Sequence, residues 1–292
     1  MATSLPRLLV TGASGQLGRL VLRQLLEITP ASSLVATARK PEALADLATV
    51  GVEVRAADYT DAKALDAAFA GVDRVLLISS NAMGERVTQH ETVIAAAKRA
   101  GVAFLAYTSV LHADISPLEL AEEHRQTEAL LQRSNLPHAI LRNGWYTENY
   151  LATRAARAAP GALLGAAGDG RIASAARADY AAAAAAVLSA EAVSAGRIFE
   201  LAGDTAYTLA EFAAEIARRS GQPTVYRNLP QAEFEAVLRA AGLPGPLAAL
   251  LADSDAVTAK GALFDDSGEL SRLIGRPTTP MSVTIAQALA QT

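Results

Sequence analysis

Three glycines at three-residue intervals, Gly12, Gly15 and Gly18, follow an apolar run and precede an amphipathic helical pattern. In a strand–loop–helix unit the first glycine permits a sharp turn, and the second lets the backbone approach a pyrophosphate. The third lets the helix pack closely on the strand. The free N–H groups at the start of the helix attract negative charge. The spacing therefore predicts a dinucleotide site rather than a plain glycine-rich turn. The candidate binding residues are Gly12, Ala13, Ser14, Gly15, Gln16 and Leu17.

Two basic residues, Arg39 and Lys40, follow the second apolar run at residues 34–38. Sites for NAD usually carry a carboxylate at this position, which binds the ribose hydroxyls. A carboxylate would repel a 2′-phosphate, whereas a guanidinium pairs with it. Arg39 therefore favours NADPH over NADH. The alternative is a solvated Arg–Lys pair at the start of a helix.

Polar residues follow the other apolar runs as well. Asp58 and Tyr59 could border an adenine or form a turn with a helix cap, and the sequence leaves both open. The further candidates for cofactor binding are Ser79, Ser80, Asn81, Tyr107, Asn143, Gly144, Trp145, Tyr146, Thr147 and Glu148. Trp145 is the only tryptophan, and it could form a pocket wall or part of the core.

Alternating strands and helices over the first 140 or so residues must position these candidates. The predicted strands are residues 7–11, 34–38, 52–56, 74–78, 104–108 and 138–141. The predicted helices are residues 16–26, 41–51, 61–70, 87–100 and 118–132. This alternation predicts an α/β fold with a doubly wound parallel sheet of the Rossmann type. Ligands of such sheets bind beyond the carboxyl ends of the strands.

The alternation stops after Arg142, and Gly- and Ala-rich loops are predicted over about 144–178. The later predicted elements are a helix at 179–190, a strand at 198–201, a helix capped by Thr208 and Glu211 that ends at Gly221, a strand at 224–229 and helices near 231 and 247–251. We expect an NAD(P)-binding domain at 1–145 and a smaller α/β substrate-binding lobe at 146–292, with some segments returning to the first domain.

The composition excludes several classes of protein. The 292 residues are 51% hydrophobic and carry a net charge of −4, which offers no electrostatic footprint for nucleic acid or an anionic membrane. The chain has no cysteine and four histidines without metal-ligand spacing, so we expect no metal site. No apolar run reaches the roughly 18 residues that span a bilayer. Because the N-terminus has no hydrophobic signal core, we expect a cytoplasmic protein that does not contact membranes.

The loop Thr11-Gly12-Ala13-Ser14-Gly15-Gln16-Leu17-Gly18 resembles that of the NmrA-like group of atypical short-chain dehydrogenases. A closer resemblance, to the bacterial type-2 NAD(P)H:quinone oxidoreductases, covers essentially the whole chain. It is carried by residues 57–59, 106–109, 111–114, 141–146, 148–150, 177–180 and 263–266. The triphenylmethane reductases are similar.

The resemblance implies NADPH in a groove, bound by residues 12–17, Arg39, residues 79–81 and residues 143–148, and a quinone pocket between the two lobes. It also implies a cofactor role for Arg177, whose alternative is to fasten a loop. A homodimer is common for such folds, and we carry it as an expectation.

The acid/base pair of ordinary short-chain dehydrogenases, Tyr-x-x-x-Lys, is absent. Leu120 and His124 stand where the pair is expected. Reduction of a quinone needs only hydrogen-bond donors at a developing oxygen anion, and our candidates are Asn143 and Tyr146. We favour structural over catalytic roles for His112 and His124. The sequence thus predicts a flavin-independent, NADPH-dependent quinone reductase. The alternatives are an NmrA-like redox sensor and a triphenylmethane-dye reductase.

Overall fold

A computed structural model of the protein describes residues 5–290. The strands, in chain order, are β1 (Leu8–Val10), β2 (Leu34–Ala38), β3 (Glu53–Ala56), β4 (Arg74–Leu77), β5 (Phe104–Val110), β6 (His138–Asn143), β7 (Ala158–Ala159), β8 (Ala162–Gly165), β9 (Ile198–Leu201) and β10 (Val225–Asn228). The helices are α1 (Gln16–Ile28), α2 (Ala45–Thr49), α3 (Ala62–Phe69), α4 (Arg86–Arg99), α5 (Glu119–Ser134), α6 (Thr147–Ala152), α7 (Arg177–Ser189), α8 (Leu209–Ser220), α9 (Gln231–Ala240), α10 (Gly245–Thr258), α11 (Glu269–Ile274) and α12 (Met281–Leu289).

A sheet of seven strands in the order β3-β2-β1-β4-β5-β6-β9 is the centre of the fold. The pairings along β3-β2-β1-β4-β5 are parallel, with Leu8 opposite both Leu34 and Arg74. Strands β2 and β5 are buried at every residue, which is why their sequences are apolar runs rather than alternating patterns. The prediction of a doubly wound α/β fold is confirmed.

Local signals determine several of the helices. Asp61 caps α3 by accepting the N–H groups of Lys63 and Ala64. Thr208 and Glu211 form the predicted capping box of α8, and that helix ends at Gly221 in the left-handed conformation. These ends match the sequence because each depends on contacts within a few residues.

The expectation of loops over 144–178 is wrong in part. This stretch contains α6, β7 and β8, and β8 pairs in parallel with β10, which lies some 60 residues later. A six-residue helix shows too little periodicity to be recognised, and β8 is fixed by its distant partner. The helix expected at 41–51 is also divided, into a 3-10 turn (Pro41–Leu44) and α2.

The chain forms two compact units. Among the described residues, the first comprises 5–110, 123–142 and 180–199, and the second comprises 111–122, 143–179 and 200–290. The chain therefore passes from the first unit to the second at the ends of β5 and β6 and within β9. The first unit contains a core cluster that includes the strand residues Leu9, Val75 and Leu105.

No helix within residues 5–290 is both long enough and apolar enough to cross a membrane.

Candidate active site

The glycine loop between β1 and α1 has the backbone geometry that its sequence predicts. Gly12 has a φ of +58°, which L side chains rarely adopt. A Cβ on Gly18 would lie 2.6 Å from the carbonyl oxygen of Gly12 and 2.8 Å from Cα of Ala13. Gly12 therefore makes the turn, and Gly18 lets α1 approach it.

The surface of this loop is formed by Ser14, Gly15 and Gln16, which are exposed, whereas Ala13 and Leu17 are buried. Gly15 is the N-cap of α1 and has no side chain to accept the first N–H groups of the helix. A Cβ there would lie 3.2 Å from the carbonyl oxygen of Gly12. An open cradle at a helix start, with no acidic residue in the first turn, fits the phosphates of a dinucleotide.

Thr11 and Tyr59 support the loop from inside. The Thr11 hydroxyl donates to the carbonyl of Leu76 and accepts the N–H of Ile78, both at 3.0 Å. The Tyr59 hydroxyl lies 2.5 Å from that of Thr11, and burial raises the pKa of the Tyr59 phenol. Asp58 forms a turn by accepting from Thr60. The structure thus contains the turn at Asp58, and a place for Asp58 and Tyr59 beside an adenine stays a prediction.

Arg39 and Lys40 are exposed directly after β2. Within the described part of the chain, the Arg39 guanidinium makes no hydrogen bond or ion pair. Hydrogen bonds from Thr60 hold the pKa of the Asp58 carboxyl below its ordinary value, and the charge of Arg39 acts in the same direction. Arg39 is therefore an exposed cation directly after β2, and its pairing with a 2′-phosphate stays a prediction.

The segment after β4 is fastened by hydrogen bonds. The N–H of Ser79 donates to the Thr108 hydroxyl at 2.9 Å, and the N–H of Ser80 donates to Nε2 of His90 at 2.9 Å. The Ser80 hydroxyl donates to Gln89, while Asn81 is exposed. Of the three predicted cofactor residues here, Ser80 is thus the most fully engaged by the protein itself.

His90 is a supporting residue that sequence reasoning missed. It is fully buried, and burial together with the charge of Arg86 lowers its pKa to about 3, so the ring is neutral. A single histidine within a helix carries no sequence pattern that would reveal a bond to the segment after β4.

Tyr107 is also fully buried, and its hydroxyl lies 2.7 Å from Nδ1 of His124. Burial lowers the pKa of His124 well below its ordinary value. This is the structural role favoured for His124. Tyr107 has a supporting place in the sheet, and its binding of a nucleotide stays a prediction.

The second unit brings together the candidate catalytic residues. Asn143 is 5% exposed, and its Nδ2 donates to the Tyr146 hydroxyl at 3.3 Å. The Asn143 Oδ1 is buried with no hydrogen-bond partner among the described residues. Burial raises the pKa of the Tyr146 phenol, although the hydrogen bond from Asn143 and the charge of Arg177 act in the opposite direction. A buried acceptor without a partner fits a ligand that offers a donor.

Arg177 is tied to its neighbours in the same unit. Its backbone N–H lies 2.9 Å and 3.0 Å from the two carboxylate oxygens of Glu148, and Nη2 donates to Oδ1 of Asn149 at 3.1 Å. The guanidinium carbon lies 4.8 Å from the centre of the Tyr146 ring. Arg177 therefore fastens the start of α7, as the alternative interpretation held, and also places a positive charge against Tyr146.

The remaining predicted residues of this stretch are enclosed. Trp145 is buried, and the Thr147 hydroxyl lies 2.7 Å from that of Ser174. The N–H of Gly144 donates to the carbonyl of Leu201 at 2.7 Å. Direct cofactor contacts from these three residues stay predictions. Among residues 5–290, no group of three or more histidine and acidic side chains is arranged to bind a metal ion.

The parallel sheet and the glycine loop define a Rossmann-type dinucleotide-binding protein, and the family profile described as NAD(P)H-binding matches residues 12–191. Quinone oxidoreductase 2 of Escherichia coli K12 is 54% identical over 277 residues, which are 95% of this chain and 96% of that protein. The chain belongs to the type-2 NAD(P)H:quinone oxidoreductase family, which confirms the resemblance seen in its motifs.

Solved structures agree with this assignment. The crystal structure of the NADPH-dependent quinone oxidoreductase from Escherichia coli, complexed with NADPH, has a TM-score of 0.93 at 52% identity and covers 97% of this chain and 99% of that one. Triphenylmethane reductase from Citrobacter sp., complexed with NADP(H), has a TM-score of 0.91 at 36% identity and covers 96% of this chain and 99% of that one.

Proposed function

We propose that this protein is an NADPH-dependent reductase that transfers a hydride to a quinone without a flavin. The observation that carries the proposal is the 54% identity, over nearly the whole of both chains, to a protein named quinone oxidoreductase 2. We also propose that the protein acts in the cytoplasm as a homodimer.

NADPH is the cofactor, and the first unit binds it with residues from three segments of the chain. The cradle of Ser14, Gly15 and Gln16 receives the pyrophosphate, and the guanidinium of Arg39 pairs with the 2′-phosphate. Residues 79–81 contribute at the end of β4. NADPH supplies the hydride when bound.

Asn143 and Tyr146 stabilise the negative charge that develops on a quinone oxygen. Both are hydrogen-bond donors, and the raised pKa of Tyr146 keeps its phenol protonated near neutral pH. The nearby guanidinium of Arg177 favours negative charge at this place. Because the reduced oxygen is a weak base, donors aimed at it suffice, and no Tyr–Lys pair is needed.

The choice of cofactor is tested with Arg39→Ala. Wild-type protein should oxidise NADPH in the presence of a simple benzoquinone and should use NADH less well. Loss of the guanidinium should raise KM for NADPH about 30-fold, since charge-assisted hydrogen bonds contribute about 2 kcal/mol. KM for NADH should change little. Arg23→Ala, which removes an exposed charge from α1, is the matched control and should behave as wild type.

Three results would contradict parts of the proposal. Tight NADPH binding without turnover of any quinone or triarylmethane dye would indicate a sensor. Faster turnover of a cationic dye than of quinones would indicate a dye reductase. A flavin spectrum in the purified protein would overturn the flavin-independent reaction.

A further inference from the structure

The peptide unit that joins Asn143 to Gly144 is hydrogen-bonded on both sides. Its carbonyl oxygen accepts the N–H of Leu111 at 2.9 Å, and its N–H donates to the carbonyl of Leu201 at 2.7 Å. Leu111 directly follows β5, and Leu201 is the last residue of β9. Because β6 lies between β5 and β9 in the sheet, both neighbouring strands hold this one peptide plane.

The residues adjacent to these two partners are themselves joined. His112 follows Leu111, and Glu200 precedes Leu201. The backbone N–H of His112 donates to Oε2 of Glu200 at 2.9 Å, and Nδ1 of its ring lies 3.5 Å from the same oxygen. The Glu200 carboxylate therefore spans the end of β6, and we call His112 and Glu200 the clasp.

The clasp is fixed at both of its ends. His112 has a φ of +51°, a strained value for a residue other than glycine. Its Nε2 donates to the carbonyl of Phe264 at 3.2 Å and lies 3.5 Å from Oδ2 of Asp265. The N–H of Glu200 donates to Oε2 of Glu269 at 2.8 Å. These contacts hold both residues of the clasp to the segment 264–269.

The side chain of Asn143 depends on this backbone for its direction. Its amide makes one long hydrogen bond, 3.3 Å to Tyr146, and its buried Oδ1 has no partner among the described residues. Side-chain contacts therefore do little to hold the amide, and the backbone fixes the direction of the Cα–Cβ bond from which it projects.

We propose that His112 and Glu200 are positioning residues, which hold the Asn143–Gly144 peptide plane so that the Nδ2 donor of Asn143, and not its Oδ1, faces the reacting oxygen. The inference rests on the proposed function for the role of Asn143. Neither residue of the clasp needs to touch the substrate.

The test uses Glu200→Ala, which removes the acceptor of the His112 N–H, and Glu200→Gln, which keeps an oxygen there. We expect Glu200→Ala to lower kcat for quinone about tenfold, with the Kd for NADPH within about twofold of wild type. Glu200→Gln should keep most of kcat. His138→Ala is the control, because His138 begins the same strand and, within residues 5–290, its ring hydrogen-bonds only to the nearby carbonyl of Leu136.

A double variant separates positioning from general damage. If the clasp acts through Asn143, Glu200→Ala combined with Asn143→Ala should be no slower than Asn143→Ala alone. The proposal would be overturned if the two losses of kcat multiplied in the double variant. It would also be overturned if Glu200→Ala kept the wild-type kcat.

Amide hydrogen exchange provides a readout that does not depend on activity. Exchange at Gly144 should quicken in Glu200→Ala relative to exchange at Ile140 in β6, whose N–H donates to the carbonyl of Arg197. An unchanged ratio of the exchange rates at Gly144 and Ile140 would show that the clasp does not hold the peptide, even in an active enzyme.

If wild-type protein reduced no quinone, the proposed function and the catalytic part of this inference would be wrong. The exchange ratio would still decide whether the clasp holds the peptide.

Discussion

His90 is confined to one tautomer by its neighbours. The Thr127 hydroxyl donates to the carbonyl of Glu123 at 2.9 Å, so its oxygen accepts a hydrogen bond from the Nδ1–H of His90, 3.0 Å away. Nε2 is then left with the lone pair that accepts the N–H of Ser80. Protonation would set two N–H groups against each other, which adds to the effect of burial on the pKa.

This arrangement predicts a loss of stability in acid. An unfolded histidine takes up a proton below about pH 6.5, whereas folded His90 does so only near pH 3. The contribution of His90 is therefore complete above pH 6.5 and declines as the pH falls toward 3. At pH 5 the free energy of unfolding should be lower by about 2 kcal/mol from this residue alone.

Urea unfolding of wild type and His90→Gln between pH 7 and pH 5 measures this effect. The variant should be less stable at pH 7, because Ser80 loses a fixed acceptor, but its stability should fall less steeply. His138→Gln, a change to a partly exposed histidine, is the control. Parallel slopes for wild type and His90→Gln would contradict the prediction.

At the scale of secondary structure, two glycines of the loop meet different requirements, Gly18 the packing of α1 and Gly15 the binding of the cofactor. Gly18 is needed for packing, since a Cβ would meet backbone atoms at 2.6 Å and 2.8 Å. Gly15 is less confined, with its nearest backbone contact at 3.2 Å and an exposed surface. Stability and cofactor binding should therefore respond differently to the same substitution at the two positions.

We expect Gly18→Ala to destabilise the fold by about 1–3 kcal/mol, because α1 must move away from the loop. Gly15→Ala should unfold close to wild type and yet weaken NADPH binding, since its methyl group narrows the cradle. Thermal unfolding and equilibrium binding of both variants provide the comparison. Equal losses of stability would contradict the separate roles.

The elements that could be predicted from sequence are those with local causes. Strand β2, strand β9 and the capped helix α8 lie where the sequence places them. Strand β8 could not be found, because β10 lies far along the chain. In the candidate site, too, features with local causes could be predicted and features that depend on distant residues could not. Glycine spacing predicts the loop, whereas the bridge from Glu200 to His112 depends on strands that only the folded sheet makes neighbours.

At the scale of the whole molecule, the second unit contains a buried ion pair. The guanidinium of Arg157 donates to both oxygens of Asp255, at 2.8 Å and 3.0 Å, and each side chain is 1% exposed. The guanidinium carbon also lies 4.8 Å from the centre of the Phe234 ring. Such a pair is costly to bury, and it is more costly to leave with one partner.

Removal of one partner should therefore destabilise the protein strongly. Arg157→Met leaves the Asp255 carboxylate buried without its countercharge, and we expect a loss of about 3–5 kcal/mol in denaturant unfolding. Arg157→Met with Asp255→Leu should recover much of that loss. Arg239→Met, which breaks an exposed pair with Glu235, should change stability by less than about 0.5 kcal/mol. A small effect of Arg157→Met would contradict the burial of an ionised pair.

The peptide unit at the end of β6, which is hydrogen-bonded on both sides, also limits how this protein can change over evolutionary time. Side chains alternate between the faces of a strand, so one residue added to or removed from β6 would turn Asn143 to the opposite face. The same change would separate both hydrogen bonds from their partners. Exchange of one side chain for another leaves chain length, and therefore register, untouched. New substrate preferences at this edge of the sheet should thus arise by substitution, while insertions and deletions are confined to the loops.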